Sequence, residues 1–241
     1  LKKSILVSAL AWQCRWSLGF EIPHALSQSS KRMGSFNPPM NYTIAHGLFV
    51  RKKTLNECSN FDERVHIEDA MLGLVLNAKG IIIHPMPIFD KAETPKEVQN
   101  LFIQKKNWYQ GPFQAFDYYR LIRKQFSTLS KLKLAILTTK LFFHSIYWVL
   151  TPSMIFFLII FSFILGNQYI VWGVFISLAF IVVPNLSSIY YFEKRYYFKE
   201  LIFGGIPFFL LHGVAGYYSI YFRVASLVKN EKMKREKTIT N

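Results

Sequence analysis

Residues 141–192, LFFHSIYWVLTPSMIFFLIIFSFILGNQYIVWGVFISLAFIVVPNLSSIYYF, contain no Lys, Arg, Asp or Glu. One helix needs about 20 apolar residues to cross the hydrocarbon core of a bilayer, so this run holds two crossings and a turn. Gly166-Asn167-Gln168, its most polar cluster, marks the turn. Spans are expected at about 141–165 and 169–191, with kinks at Pro152 and Pro184. A third uncharged run, Leu201 to Phe222, lies between Glu200 and Arg223. Three such runs in succession predict a transmembrane region over 141–222 that follows a globular half.

The rest of the composition agrees with a membrane partner. Of 241 residues, 51% are hydrophobic and 17% aromatic, yet the net charge is +15. That mixture suits neither a disordered chain nor an ordinary soluble domain. The expected partner is a lipid bilayer, with no nucleic acid. Arg120, Arg123, Lys124, Lys131, Lys133 and Lys140 precede the first span, and Lys194, Arg195 and Lys199 fill the second connection. By the positive-inside bias both regions face the cytoplasm, which puts residues 1–140 inside the cell at the plasma membrane. Three spans then send the tail, residues 223–241, to the other side. That tail is itself basic, from Arg223 to Lys237, so the same bias pulls it back. Residues 115–140 interleave aromatics and Leu/Ile with cations, as in a helix lying on the membrane surface or a solvated basic linker. No cleavable signal peptide is evident at Leu1–Leu10. The chain opens with Leu rather than Met, which fits a fragment of a longer protein. Cys14 and Cys58 show no CxxC pairing and are expected to stay reduced.

The globular half alternates helices and strands. Residues 4–20 read as a helix and 27–41 as a Ser, Asn and Pro-rich loop. Tyr42 to Val50 follows as a strand, then Lys53 to Cys58 as a helical turn. Ile67 to Ala78 is the next helix, with Gly80 in the C-cap position. Ile81-Ile82-Ile83-His84 reads as a buried strand stopped by Pro85, and Lys96 to Tyr109 as a helix. The expected class is α/β.

Three features in it can carry chemistry. Glu68-Asp69 open a helix, where carboxylates complement the macrodipole and cap free amides. A carboxylate so held can equally act as a general base on a hydroxyl. The run Gln104-Lys105-Lys106-Asn107-Trp108-Tyr109-Gln110-Gly111 offers ring faces for sugar C–H surfaces, with amides and cations for hydroxyls and phosphates. An aromatic belt anchoring a helix among lipid headgroups has the same composition. His46-Gly47 begins HGLFVRK, where a strand glycine marks either close approach to a ligand or a bulge.

Taken in order, His46-Gly47-Leu48-Phe49-Val50-Arg51-Lys52, Phe61-Asp62-Glu63, Glu68-Asp69-Ala70-Met71-Leu72-Gly73, Gly80, Pro85, Ala92-Glu93-Thr94-Pro95 and Gln104-x-x-Asn107-Trp108 resemble family 2 glycosyltransferases. The likeness is to the membrane-bound branch that includes cellulose and hyaluronan synthases. It implies a GT-A-type catalytic domain, of which residues 1–114 are the C-terminal portion. It also implies a nucleotide-sugar donor, a lipid-linked or glycan acceptor, and transfer with inversion. The acceptor-deprotonating base maps onto Asp69, with Glu68 beside it. The family's Gln-x-x-Arg-Trp motif maps onto Gln104 and Trp108, and its donor and acceptor contacts extend to Asn107, His46 and Gly47. Asn107 stands where the family usually has Arg, which weakens a contact to the donor diphosphate or leaves it to Lys105 or Lys106. A divalent cation, Mg or Mn, is implied by the family. Its Asp-x-Asp ligands are not in this sequence, where Asp62 is the one aspartate before Glu68. The competing expectation is a non-catalytic membrane protein, either a degenerate remnant or a partner subunit of a split enzyme. A transporter is disfavoured because the uncharged runs hold no Asp, Glu, Lys or Arg, which leaves histidines such as His144 and His212.

Overall fold

The computed structural model describes residues 27–28, 40, 43, 48–65, 67–84, 97–166, 168–175 and 206–229. Within them lie α1 (Lys52–Glu57), α2 (Glu68–Lys79), α3 (Val98–Phe113), α4 (Ala115–Gln125), α5 (Lys131–Leu165) and α6 (Ile206–Val228). A further helical stretch covers 168–175. The expected helix at 4–20, His46-Gly47, Ala92–Pro95, most of the span at 169–191 and most of the basic tail lie outside the described residues.

Helix α2 is apolar on every side, and it is buried on every side from Met71 to Ala78. Such a helix belongs in a core rather than on a surface. Its one buried amide, Asn77, donates from Nδ2 to the Gly73 carbonyl at 2.6 Å. Gly80 ends it at φ 82°, a left-handed conformation that glycine adopts without the Cβ clash. Gly166 ends α5 in the same way at φ 63°.

Around α2 gathers the larger core: Met71, Leu72, Leu74, Val75 and Leu76 with Ala115, Tyr118 and Ile122 of α4 and Leu134, Leu137 and Leu141 of α5. Each fully buried Leu or Ile contributes about 1.5–3 kcal/mol. The stripe Ala115, Tyr118, Ile122 is therefore the apolar face of α4, and it points into protein. What α4 turns outward is Phe116, Arg120 and Lys124. The segment expected as one surface helix is broken by the turn at Phe126–Ser130, where Arg123 Nη1 donates to the Leu129 carbonyl at 2.8 Å.

A second core joins α3, α5 and α6 through Tyr109, Phe113, Val149 and Ala215. Tyr109 Oη lies 2.8 Å from His212 Nδ1, and its ring packs against Trp148 with centroids 5.2 Å apart. Tyr109→Phe keeps the ring and deletes this hydrogen bond. We expect a loss of about 1–3 kcal/mol, read as a lower melting temperature of the purified protein. An unchanged melting temperature would show that the hydroxyl contributes nothing.

Two expectations are not met among the described residues. No strand occurs among the described residues. Thr43 and residues 48–50 carry no ladder, and Ile81–His84 is not buried but alternates half-buried and exposed, with Ile82 48% exposed. A strand exists only beside a partner edge, and none is described next to either segment. The described architecture is helical rather than α/β. Also, among the described residues no helix is long and apolar enough to cross a membrane. Lys131, Lys133 and Lys140 occupy the first turns of α5, while α6 carries His212, Ser219 and Arg223 among its tyrosines.

Cys58 is free and buried. Burial pushes its thiol above the usual range.

Candidate functional site

Gln104, Trp108 and Gly111 follow one another at i, i+4 and i+7, so α3 presents them on one face. Gln104 and Trp108 are half-exposed there. Gly111 has no side chain, and Ile67 occupies the space: a Cβ at Gly111 would stand 2.6 Å from Ile67 Cγ1 and 2.7 Å from its Cβ. Ile67 is the residue directly before Glu68-Asp69. The acidic pair therefore opens α2 against the same face of α3 that carries Gln104 and Trp108. Distant segments meet here because one position lacks a side chain.

Glu68 and Asp69 are half-buried in the first turn of α2, whose N-cap residue, Ile67, provides no side-chain acceptor. Asp69 Oδ1 accepts from the Ala70 N–H at 2.8 Å, and Thr43 Oγ1 donates to the Asp69 carbonyl. A carboxylate in this place is favoured by the helix dipole. Next to it stands Tyr118, fully buried, its hydroxyl donating to the Ile67 carbonyl at 3.4 Å. Burial first, and then the charges of Asp69, Asp117 and Glu68, hold this phenol well above its ordinary pKa. It stays a neutral donor beside the acidic pair.

The cations of α3 are not all where the sequence suggested. Lys105 is fully buried, with Nζ 3.5 Å from the centroid of the Trp108 ring. One face of the indole is thus covered by an ammonium, an attraction of about 2 kcal/mol where water is excluded. The opposite face is the one a sugar could stack on. Lys106 turns to α6, its Nζ 5.5 and 5.3 Å from the rings of Tyr218 and Phe222, and Ser219 Oγ donates to the Lys106 carbonyl at 2.8 Å. Asn107 is buried as well. Gln104 and Trp108 share the α3 face on which Ile67, the residue before the acidic pair, is seated; Lys106 and Asn107 are built into the packing. His46 and Gly47 lie outside the described residues.

A divalent cation finds no fit here. Among the described residues no three His, Cys, Asp or Glu converge. Asp62 is engaged by Arg64 at 2.6 Å, which with its hydrogen bonds holds the carboxyl below its usual range. Asp117 is engaged by Arg223 at 2.6 Å.

A half-buried carboxylate opening α2, beside an α3 face that carries an indole and an amide, has the residue types that sugar binding and proton removal need. The chain matches the family model described as glycosyl transferase family group 2 over residues 24–192, and it belongs to that family. Members transfer a sugar from a nucleotide-sugar donor to an acceptor. No curated protein and no solved structure matches the chain.

Three participants escaped the linear reading: Ile67 on Gly111, Tyr118 under the acidic pair, and the Asp117–Arg223 pair. The spacing Ala115, Tyr118, Ile122 was the available signal for a buried Tyr118. Nothing in the sequence points Ile67 at Gly111.

Proposed function

We propose that this chain is the acceptor-side, C-terminal portion of a membrane-seated GT-A glycosyltransferase of the cellulose and hyaluronan synthase-like branch. Asp69 acts as the base. It takes the proton of an acceptor hydroxyl as that oxygen bonds to the anomeric carbon, while the bond from that carbon to the nucleotide's phosphate oxygen breaks, with inversion. Trp108 stacks on the acceptor sugar through its free ring face, Gln104 meets a hydroxyl, and Glu68 adds negative field beside the base. The observation that supports this reading is the seating of Ile67, one residue before the acidic pair, on Gly111 of the α3 face that carries Gln104 and Trp108. Replacing Asp69 by Asn in the enzyme tests it: transfer should collapse while the protein still folds.

The bilayer seat is part of the proposal. The uncharged run from Leu141 supports it, as do the exposed Phe161, Phe163 and Ile164 near the end of α5. Such a large apolar surface calls for a nonaqueous neighbour. Ser127 lies exposed in the turn before α5. A topology reporter fused there should read cytoplasmic, the side where nucleotide sugars are found. A reading from the opposite side would reverse the orientation.

A non-catalytic partner or remnant is the second reading. Its support is Asn107, buried where the resemblance would have an arginine. A wild-type protein that inserts in membranes and transfers no sugar would select it.

A further inference from the structure

Helix α4 holds two other elements by adjacent residues. Asp117 accepts from Arg223 Nη2 at 2.6 Å, gripping α6 near its end. Tyr118 reaches the Ile67 carbonyl, one residue before the acidic pair. The two contacts leave α4 on neighbouring positions of one helical turn, so a displacement of the α4 backbone there moves both. The pair is well placed to transmit force. Arg223 is 17% and Asp117 35% exposed, so water only partly screens their attraction. Tyr118 is fully buried between α2 and α4, where close packing leaves no slack. Arg120 approaches Asp117 only at 4.0 Å and is itself 82% exposed, a loose contact beside a short one. Arg223 also directly follows the uncharged run 201–222.

We propose that Asp117 and Arg223 are positioning residues for sugar transfer: their ion pair, through Tyr118 on the next position of α4, fixes where Ile67 and hence Asp69 stand over the Gln104 and Trp108 face. The proposal rests on Asp69 as base. Asp117 and Arg223 touch no reacting atom in this scheme. They set the base's position, so their loss should slow the chemical step and spare acceptor binding.

The test uses the whole enzyme in membranes, with rates normalised to folded protein recovered by gel filtration. Asp117→Asn and Arg223→Gln should each lower kcat by about 10- to 100-fold, the range for a small misplacement of a reacting group, with acceptor KM unchanged. The exchanged pair Asp117→Arg with Arg223→Asp should recover most of that loss. A purely structural pair would lower the yield of folded enzyme and leave kcat intact; that result, or a loss confined to KM, overturns the proposal. So does an exchanged pair as slow as the single variants. Where Asp117→Asn fails to accumulate, Tyr118→Phe decides, since it removes only the hydroxyl at the other end of the strap. A lowered kcat supports the proposal and a wild-type kcat refutes it. Asp69→Asn runs in parallel. If it is slow while the Asp117 and Arg223 variants are normal, the strap fails and the base stands. If it transfers normally, the base itself fails.

Discussion

Asp69→Asn should lower sugar transfer by about 10²- to 10⁴-fold, the usual consequence of losing a positioned acid–base group. The substitution isolates the chemistry well. Asn retains an Oδ1 that can accept from the Ala70 N–H as Asp69 does at 2.8 Å, and the Thr43 contact goes to the Asp69 backbone carbonyl, which the change leaves alone. What disappears is the negative oxygen able to receive a proton. If Asp69 only complemented the helix dipole, the same change would cost up to about 1 kcal/mol of stability and leave transfer nearly intact. The measurement is initial rate in membranes alongside the thermal midpoint of the purified protein. Glu68→Gln, one residue away in the same turn, is the control and should reduce the rate much less. An Asp69→Asn enzyme that folds and transfers sugar normally would falsify the assignment of the base.

Gly111→Ala is expected to do the next largest damage, through geometry alone. The added methyl would sit 2.6–2.7 Å from Ile67 Cγ1 and Cβ, closer than real carbon contacts allow. Ile67 is branched at Cβ and cannot swing its nearest atoms away, so the backbone entering α2 must move. Overpacking of this kind costs about 1–3 kcal/mol. The displaced residue carries the acidic pair behind it, and transfer should fall about 10- to 100-fold. Pairing the change with Ile67→Ala makes room for the methyl and should restore part of the rate. If Gly111→Ala alone is as active as the parent, the acidic pair does not depend on this contact.

Local chemistry made part of this molecule legible in advance. Glu68-Asp69 before an apolar run, with Gly80 after it, marks a helix from end signals that act within one turn, and α2 runs Glu68–Lys79 with a left-handed Gly80. The order of short motifs pointed to the glycosyltransferase family, and the family match over residues 24–192 carries that conclusion. That no strand is described at Ile81–His84 has a physical reason. Ile81-Ile82-Ile83 has β-favouring side chains, but β structure is defined by a partner edge that no local run can supply.

The candidate site divides in the same way. Asp69, Gln104 and Trp108 could be named as candidates from the sequence because their residue types suit the chemistry and the order of their motifs resembles the family's. Their assembly could not. The seating of Ile67 on Gly111, the covering of one Trp108 face by Lys105, the diversion of Lys106 to Tyr218 and Phe222, and the hold of Tyr118 on Ile67 all depend on packing between segments far apart in the chain. The sequence by itself determined the ends of α2, the uncharged runs and the family. Only the tertiary structure decided which side chains share a face, because burial and close approach depend on what the neighbouring helix presents.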